Sequence, residues 1–206
     1  MSRGTRGGGA TPRGRVGGTS IAQWHTMSSI PHAADPAHTD ARRGWDLLVL
    51  EHMKCQAWDR ILFVECGDGW IAEECWRRAV RAYVRGLDAS ARHVEAARRL
   101  RQVPGKLEFD TWDGHSLPVP DGGFDRVMAA CMTLERWDPR ALVQGVLRAL
   151  RPDGDAYLLH AGSDAAELRR TLELAGLVEL RELAHSDDGS VAFTHARAAK
   201  LAERIP

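Results

Sequence analysis

A chain that holds an activated small molecule needs backbone a ligand can approach and a fixed carboxylate to grip its hydroxyls. Residues Glu65-Cys66-Gly67-Asp68-Gly69 close the apolar run from Arg60 to Val64, and a short strand-like stretch, Ala82 to Leu87, ends at Asp88. That separation, roughly 20 residues, is the spacing of a nucleotide-binding loop and its ribose carboxylate. Glycine admits close approach of the ligand, and an aspartate at the end of a strand accepts two hydrogen bonds from a vicinal diol. Charge narrows the ligand further. A pyrophosphate at a helix N-terminus requires N–H groups with no anion beside them, whereas Glu65 and Asp68 flank this turn. Two carboxylates suit a cationic sulfonium with a cationic amino group better than a dianionic bridge, so the expected cofactor is S-adenosylmethionine. The glycine pattern with Ala72 third also fits a nicotinamide-dependent reductase, but no Tyr-x-x-x-Lys pair is present.

The elements that must position these residues alternate. A helix is expected from an N-cap at Thr39 or Asp40, with Trp45, Leu48, His52 and Cys55 on its apolar side. Strands over 60–65, 82–87, 106–109 and 124–130 enclose helices from Trp70 to about Val80 and from an N-cap at Ser90. Asp138-Pro139 opens another helix with cap and first residue in the preferred order, and Arg151-Pro-Asp-Gly154 reads as a turn before a fifth strand, 155–160. A helix from Ser163 to Gly176 precedes two strands, 177–183 and 191–196, around a turn-rich loop. This is an α/β pattern, and an antiparallel hairpin finishes a mostly parallel sheet.

At 206 residues, with 44% hydrophobic and 27% charged side chains, the chain fits one folded domain. Lys plus Arg and Asp plus Glu balance at 28 each, which removes any whole-chain case for nucleic acid or an acidic membrane surface. Cys55, Cys66, Cys75 and Cys131 form no C-x-x-C pair and are expected to be reduced, and the histidines show no metal-ligand spacing. No apolar run approaches the roughly 20 residues of a membrane span, so a cytoplasmic location is expected. Residues 1–26 are rich in Gly and Arg and read as a disordered tail before a domain over 27–206, with Met27 as a candidate start. Such a tail is able to graze nucleic acid; its plain reading is a flexible extension.

Several stretches together resemble the class I S-adenosylmethionine-dependent methyltransferases, over about residues 45–200. Ile61 to Gly69 is similar to the family's glycine loop, Gly86-Leu-Asp-Ala-Ser90 to its ribose-binding turn, and Trp112-Asp-Gly114 with Leu117-Pro-Val-Pro-Asp-Gly-Gly-Phe-Asp125 to its adenine-binding segment. Val146 to Gly154 resembles the turn before strand five, and Leu174 to Leu177 the end of the penultimate helix. The resemblance implies a Rossmann-like three-layer sandwich with a seven-stranded sheet. It makes Asp88 the ribose ligand, with Ala89 beside it, and Asp113 the acceptor for the adenine amino group, with Gly114 beside it. Backbone around Gly67, Gly69 and Cys131 becomes the cradle, and Glu65 joins the set as a displaced carboxylate. Trp112, Leu87 and Leu117 are the candidate apolar walls. Two positions depart from the pattern: Phe63 stands where the family has an acidic residue, and Glu65 where it has glycine. The function expected is methyl transfer to an unknown acceptor, in a chain able to self-associate; the alternative is a non-catalytic relative serving as a binding or assembly module. In-line displacement needs no dedicated base, so the catalytic residue stays open among Glu135, His115 and His160.

Overall fold

The computed structural model describes residues 36–131, 138–161, 165–185 and 191–199. Helix α1 (Pro36–Met53) begins with a proline, which suits a first turn because its missing N–H has no intrahelical partner there. It starts three residues before the expected cap and ends two residues before Cys55, which the sequence had assigned to it. Then β1 (Arg60–Val64), α2 (Trp70–Arg78), β2 (Tyr83–Asp88), α3 (Ala91–Arg101) and β3 (Leu107–Thr111) form two successive steps of a parallel sheet. Beyond them come β4 (Phe124–Cys131), α4 (Pro139–Ala149), β5 (Leu150–Ala161), α5 (Ala165–Leu174), β6 (Leu177–His185) and β7 (Val191–Ala198). The caps behave as their residue types require: Ser90 Oγ accepts the His93 N–H, and Asp138 Oδ1 accepts the Arg140 N–H ahead of Pro139.

Seven strands lie in the order β3-β2-β1-β4-β5-β7-β6, with β7 antiparallel to both of its neighbours. Odd and even strand residues feed two cores. Ile61, Phe63, Val84, Met128 and Tyr157 pack with α1, α2 and α3, while Leu62, Val64, Val127, Ala129 and Leu158 pack with α4 and α5. Each fully buried large aliphatic side chain stabilises the fold by roughly 1.5–3 kcal/mol, so the doubly covered strands β1, β4 and β5 anchor the sheet. The three-layer architecture expected from the sequence is therefore present, with its terminal hairpin.

One stretch departs from its composition. Arg151 to Gly154 is no turn but part of β5, taken up as an irregularity where the register against β4 passes from Phe124–Leu150 directly to Arg126–Asp155. Asp153 adopts φ 63° inside it, and a side chain at Gly154 would lie 3.1 Å from the Asp125 carbonyl oxygen, so the turn-forming residues bend the strand instead of ending it. The tail 1–26 lies outside the described residues. Among them, no helix is long and apolar enough to cross a membrane, and no cluster of His, Cys, Asp or Glu is arranged to hold a metal ion. Cys55, Cys66 and Cys75 are free thiols, the first and last with Sγ atoms 3.3 Å apart.

The chain's two tyrosines share one behaviour. Burial, reinforced by the Glu108 carboxylate that accepts its hydroxyl, pushes Tyr83 up to about 12. Burial, with Asp155 nearby, pushes Tyr157 up to about 12 as well. Raised values favour the folded state while the phenols are neutral: the contribution is complete below the ordinary value of 10 and is lost as pH rises from there through about 12. A spectrophotometric titration is expected to show almost no tyrosinate at pH 10 in the native protein and half-ionisation in the denatured chain, with stability falling over the same alkaline interval.

Candidate functional site

The sheet order reverses between β1 and β4, the switch point at which open α/β sheets offer a ligand crevice at the carboxyl ends of their strands. The loop leaving β1 enters that crevice with every second residue left-handed: Glu65 at φ 59°, Gly67 at 59° and Gly69 at 80°. A side chain added at Gly67 would meet nothing within 4 Å, so the loop faces open space there. At Gly69 it would lie 2.6 Å from the Phe109 ring, so packing rather than a ligand demands that glycine.

Asp88 ends β2 with its carboxylate buried under the loop. Its Oδ2 accepts the Gly67 N–H at 2.8 Å, and its Oδ1 accepts the Ser90 N–H at 2.9 Å. His93 Nδ1 lies 3.1 Å from Oδ1, with the ring side chain 37% exposed. The carboxylate thus joins the glycine loop to the start of α3. Sequence analysis does not single out His93. Its place in the first turn after Ser90 was legible, but the direction of its ring was not. Ala89 is partly buried against the core on the α4 and α5 side.

The loop after β3 carries the second group. Trp112 is buried with Leu87 and Leu117 in one cluster, so the three expected walls do come together. Asp113 does not sit among them: it is exposed, and Gly114, at φ 84°, turns the chain beyond it. The Ser116 and His115 N–H groups both donate to Asp113 Oδ1 and hold its carboxyl below the usual carboxylate range. Asp113 Oδ2 takes part in neither bond.

Glu65 and Asp68 separate in role. Glu65 Oε1 accepts the Trp112 indole N–H at 2.9 Å, across 47 residues of chain. Asp68 turns to α3 instead: Arg101 Nη2 lies 3.1 Å from its Oδ2, Arg101 Nε donates to its carbonyl oxygen, and its Oδ1 caps the Trp70 N–H. The expectation that both carboxylates confront the ligand is corrected, because Arg101 neutralises Asp68. Phe63 is fully buried in the core with Ile61 and Met128.

Cys131 closes β4 in register with His160, which puts its backbone at the carboxyl edge as expected. His160 itself is not a mouth residue. It is fully buried, with Nε2 3.0 Å from Thr194 Oγ1, because β5 is flanked by β4 and β7 and covered on both faces. His115 is exposed on the Asp113 loop, and Glu135 lies outside the described residues.

A family model described as "Methyltransferase domain" matches residues 61–154, the span from β1 through the glycine loop, Asp88 and Asp113 to the irregular start of β5. Those residues belong to the methyltransferase domain family. The chain is 29% identical over 119 residues to an uncharacterized 37.1 kDa transposon protein of Streptomyces fradiae, a match covering 57% of this chain and 34% of that one. The chain therefore spans about a third of that curated relative. The fold of the chain matches that of a SAM-dependent methyltransferase from Aquifex aeolicus, with a TM-score of 0.66 at 14% identity, covering 88% of this chain and 100% of that one. It also matches the [4+2]-cyclase SpnF, with a TM-score of 0.64 at 20% identity, covering 78% and 82%. The fold alone thus accommodates more than one chemistry.

Proposed function

We propose that the chain binds S-adenosylmethionine in the β1–β4 crevice and transfers its methyl group to an acceptor molecule. The observation that carries this reading is the state of Asp88. A carboxylate offers about four lone-pair sites, and here the Gly67 and Ser90 N–H groups and His93 occupy three. One site is left on Oδ2, and the half-exposed His93 ring is exchangeable, so the two hydroxyls of a ribose find two acceptors while the loop stays fastened. The remaining residues fit the nucleoside half of the cofactor. Gly67 borders open space, Trp112, Leu87 and Leu117 form an apolar cluster nearby, and Asp113 keeps Oδ2 for an exocyclic amine. The bound cofactor would supply an electrophilic methyl on a sulfonium; the chain's part is to hold it beside the nucleophile, which needs orientation more than proton transfer.

Calorimetric titration with S-adenosylmethionine and its demethylated product tests the reading, and absence of heat at millimolar cofactor overturns it. Asp113→Asn is expected to weaken both ligands about tenfold, the loss of one hydrogen bond to a charged group, while its Oδ1 still accepts the His115 and Ser116 N–H groups that shape the loop. Unchanged affinity in that variant removes Asp113 from the site.

A second reading, a binding module without catalysis, is favoured by Glu65, whose side chain stands at φ 59° where the family has glycine. Restoring the family's acidic residue at position 63 is no test, because Phe63 is fully buried and a carboxylate there would be unpaired. Glu65→Gly alone separates the readings: a module blocked by its own side chain gains cofactor affinity, whereas the proposed enzyme loses it.

A further inference from the structure

We propose that Glu65 is a positioning residue for the nucleoside end of the ligand, acting through Trp112 rather than by touching the ligand's amino-acid end. The assignment rests on the cofactor reading above. A glutamate at φ 59° is strained, since the left-handed region crowds Cβ against backbone; strain of this kind persists where the surroundings require it. The requirement is visible in its partner. Trp112 is 5% exposed and packed with Leu62, Val64, Leu87 and Leu117, so its indole N–H has left water and needs an acceptor. Glu65 Oε1 supplies that acceptor at 2.9 Å.

The bond ties the loop after β1 to the loop after β3, two segments 47 residues apart. A second tie runs beside it, from the Trp112 N–H to the Asp88 carbonyl at 3.3 Å. Trp112 is consequently held from its backbone and from its ring, and Asp113, the next residue, inherits that fixed starting point. Where the family pattern has a glycine, this chain has a carboxylate, and it fastens the Trp112 ring. Glutamine preserves the acceptor without the charge, so the role predicts that a neutral Glu65→Gln side chain suffices.

The test uses the full chain with two probes, S-adenosylhomocysteine and 5′-methylthioadenosine, which share the nucleoside and differ in the amino-acid end. Glu65→Ala and Trp112→Phe are each expected to weaken both probes by the same factor, about tenfold. Glu65→Gln is expected to bind both as the parent does, and the double variant no worse than either single one, because the two side chains act as a unit. The Trp112 indole proton, followed by nuclear magnetic resonance without ligand, is expected to lose its protection from exchange in Glu65→Ala and keep it in Glu65→Gln. A Glu65→Ala variant that weakens S-adenosylhomocysteine alone overturns the proposal, since Glu65 then acts on the amino-acid end. So does additivity in the double variant. A parent protein that binds neither probe overturns the proposed function, and this assignment with it; parent-like binding by Glu65→Ala overturns this assignment only.

Discussion

Alanine in place of Asp88 is expected to abolish detectable cofactor binding, a loss of more than about a hundredfold, and to destabilise the fold by about 3 kcal/mol. The two effects share one cause. Asp88 is 3% exposed and its carboxylate accepts the Gly67 and Ser90 N–H groups, so its removal leaves two backbone donors without their partner and frees the loop from α3. Asparagine is expected to do little better, because its NH2 group would face one of those donors. Calorimetry measures the first effect, and urea unfolding the second. An Asp88→Ala protein that is destabilised yet binds as the parent does would confine Asp88 to a structural role.

Gly69→Ala is expected to cost about 3 kcal/mol or more, combining a left-handed φ of 80° with overpacking. The added methyl would lie 2.6 Å from Phe109 Cε1 and 2.9 Å from Ala97 Cβ. The same ring also lies close to Gly86, where a methyl would be 2.6 Å from Cδ1, so its room to move is restricted at a second position. Gly67→Ala meets open space and is expected to lose only about 1 kcal/mol, through its φ of 59°. Thermal or denaturant unfolding of the two variants side by side decides the matter, and equal losses would show that packing against Phe109 is not what distinguishes them. Phe109→Leu is expected to recover part of the Gly69→Ala loss and none of the Gly67→Ala loss.

Much of this architecture was legible in the sequence. Period and capping located the helices and strands, though not the starts of α1 and β5, since Ile61 to Val64 is a continuous apolar run and Ser90 and Asp138 cap as their types prefer. Asp88 was legible because the end of a strand fixes where a residue sits. Side-chain direction was not. Arg101 reaches back from the last turn of α3 to Asp68, and His93 from its first turn to Asp88, and neither helix pattern encodes a partner 33 or 5 residues away. Likewise Glu65 stood out as a departure from the family, while its indole partner was hidden by the fold. Composition misled at Arg151 to Gly154, where proline, aspartate and glycine look like a turn but are absorbed by an irregular strand, and at His160, where strand alternation says nothing of exposure in a strand covered on both faces.

The position of β7 bears on how the chain is made. It is the final strand in chain order among the described residues, yet it lies between β5 and β6 and is the neighbour that joins them. While a ribosome is still extending the polypeptide, residues 177–185 lack the strand they pair with, and the flank of β5 stays an open row of backbone donors and acceptors. Closure waits for Ala192, Phe193 and Ala196 to emerge and be buried. A nascent chain stalled before residue 191 therefore carries a sticky margin, and its solubility in the cell depends on a chaperone or on speed of synthesis through that stretch.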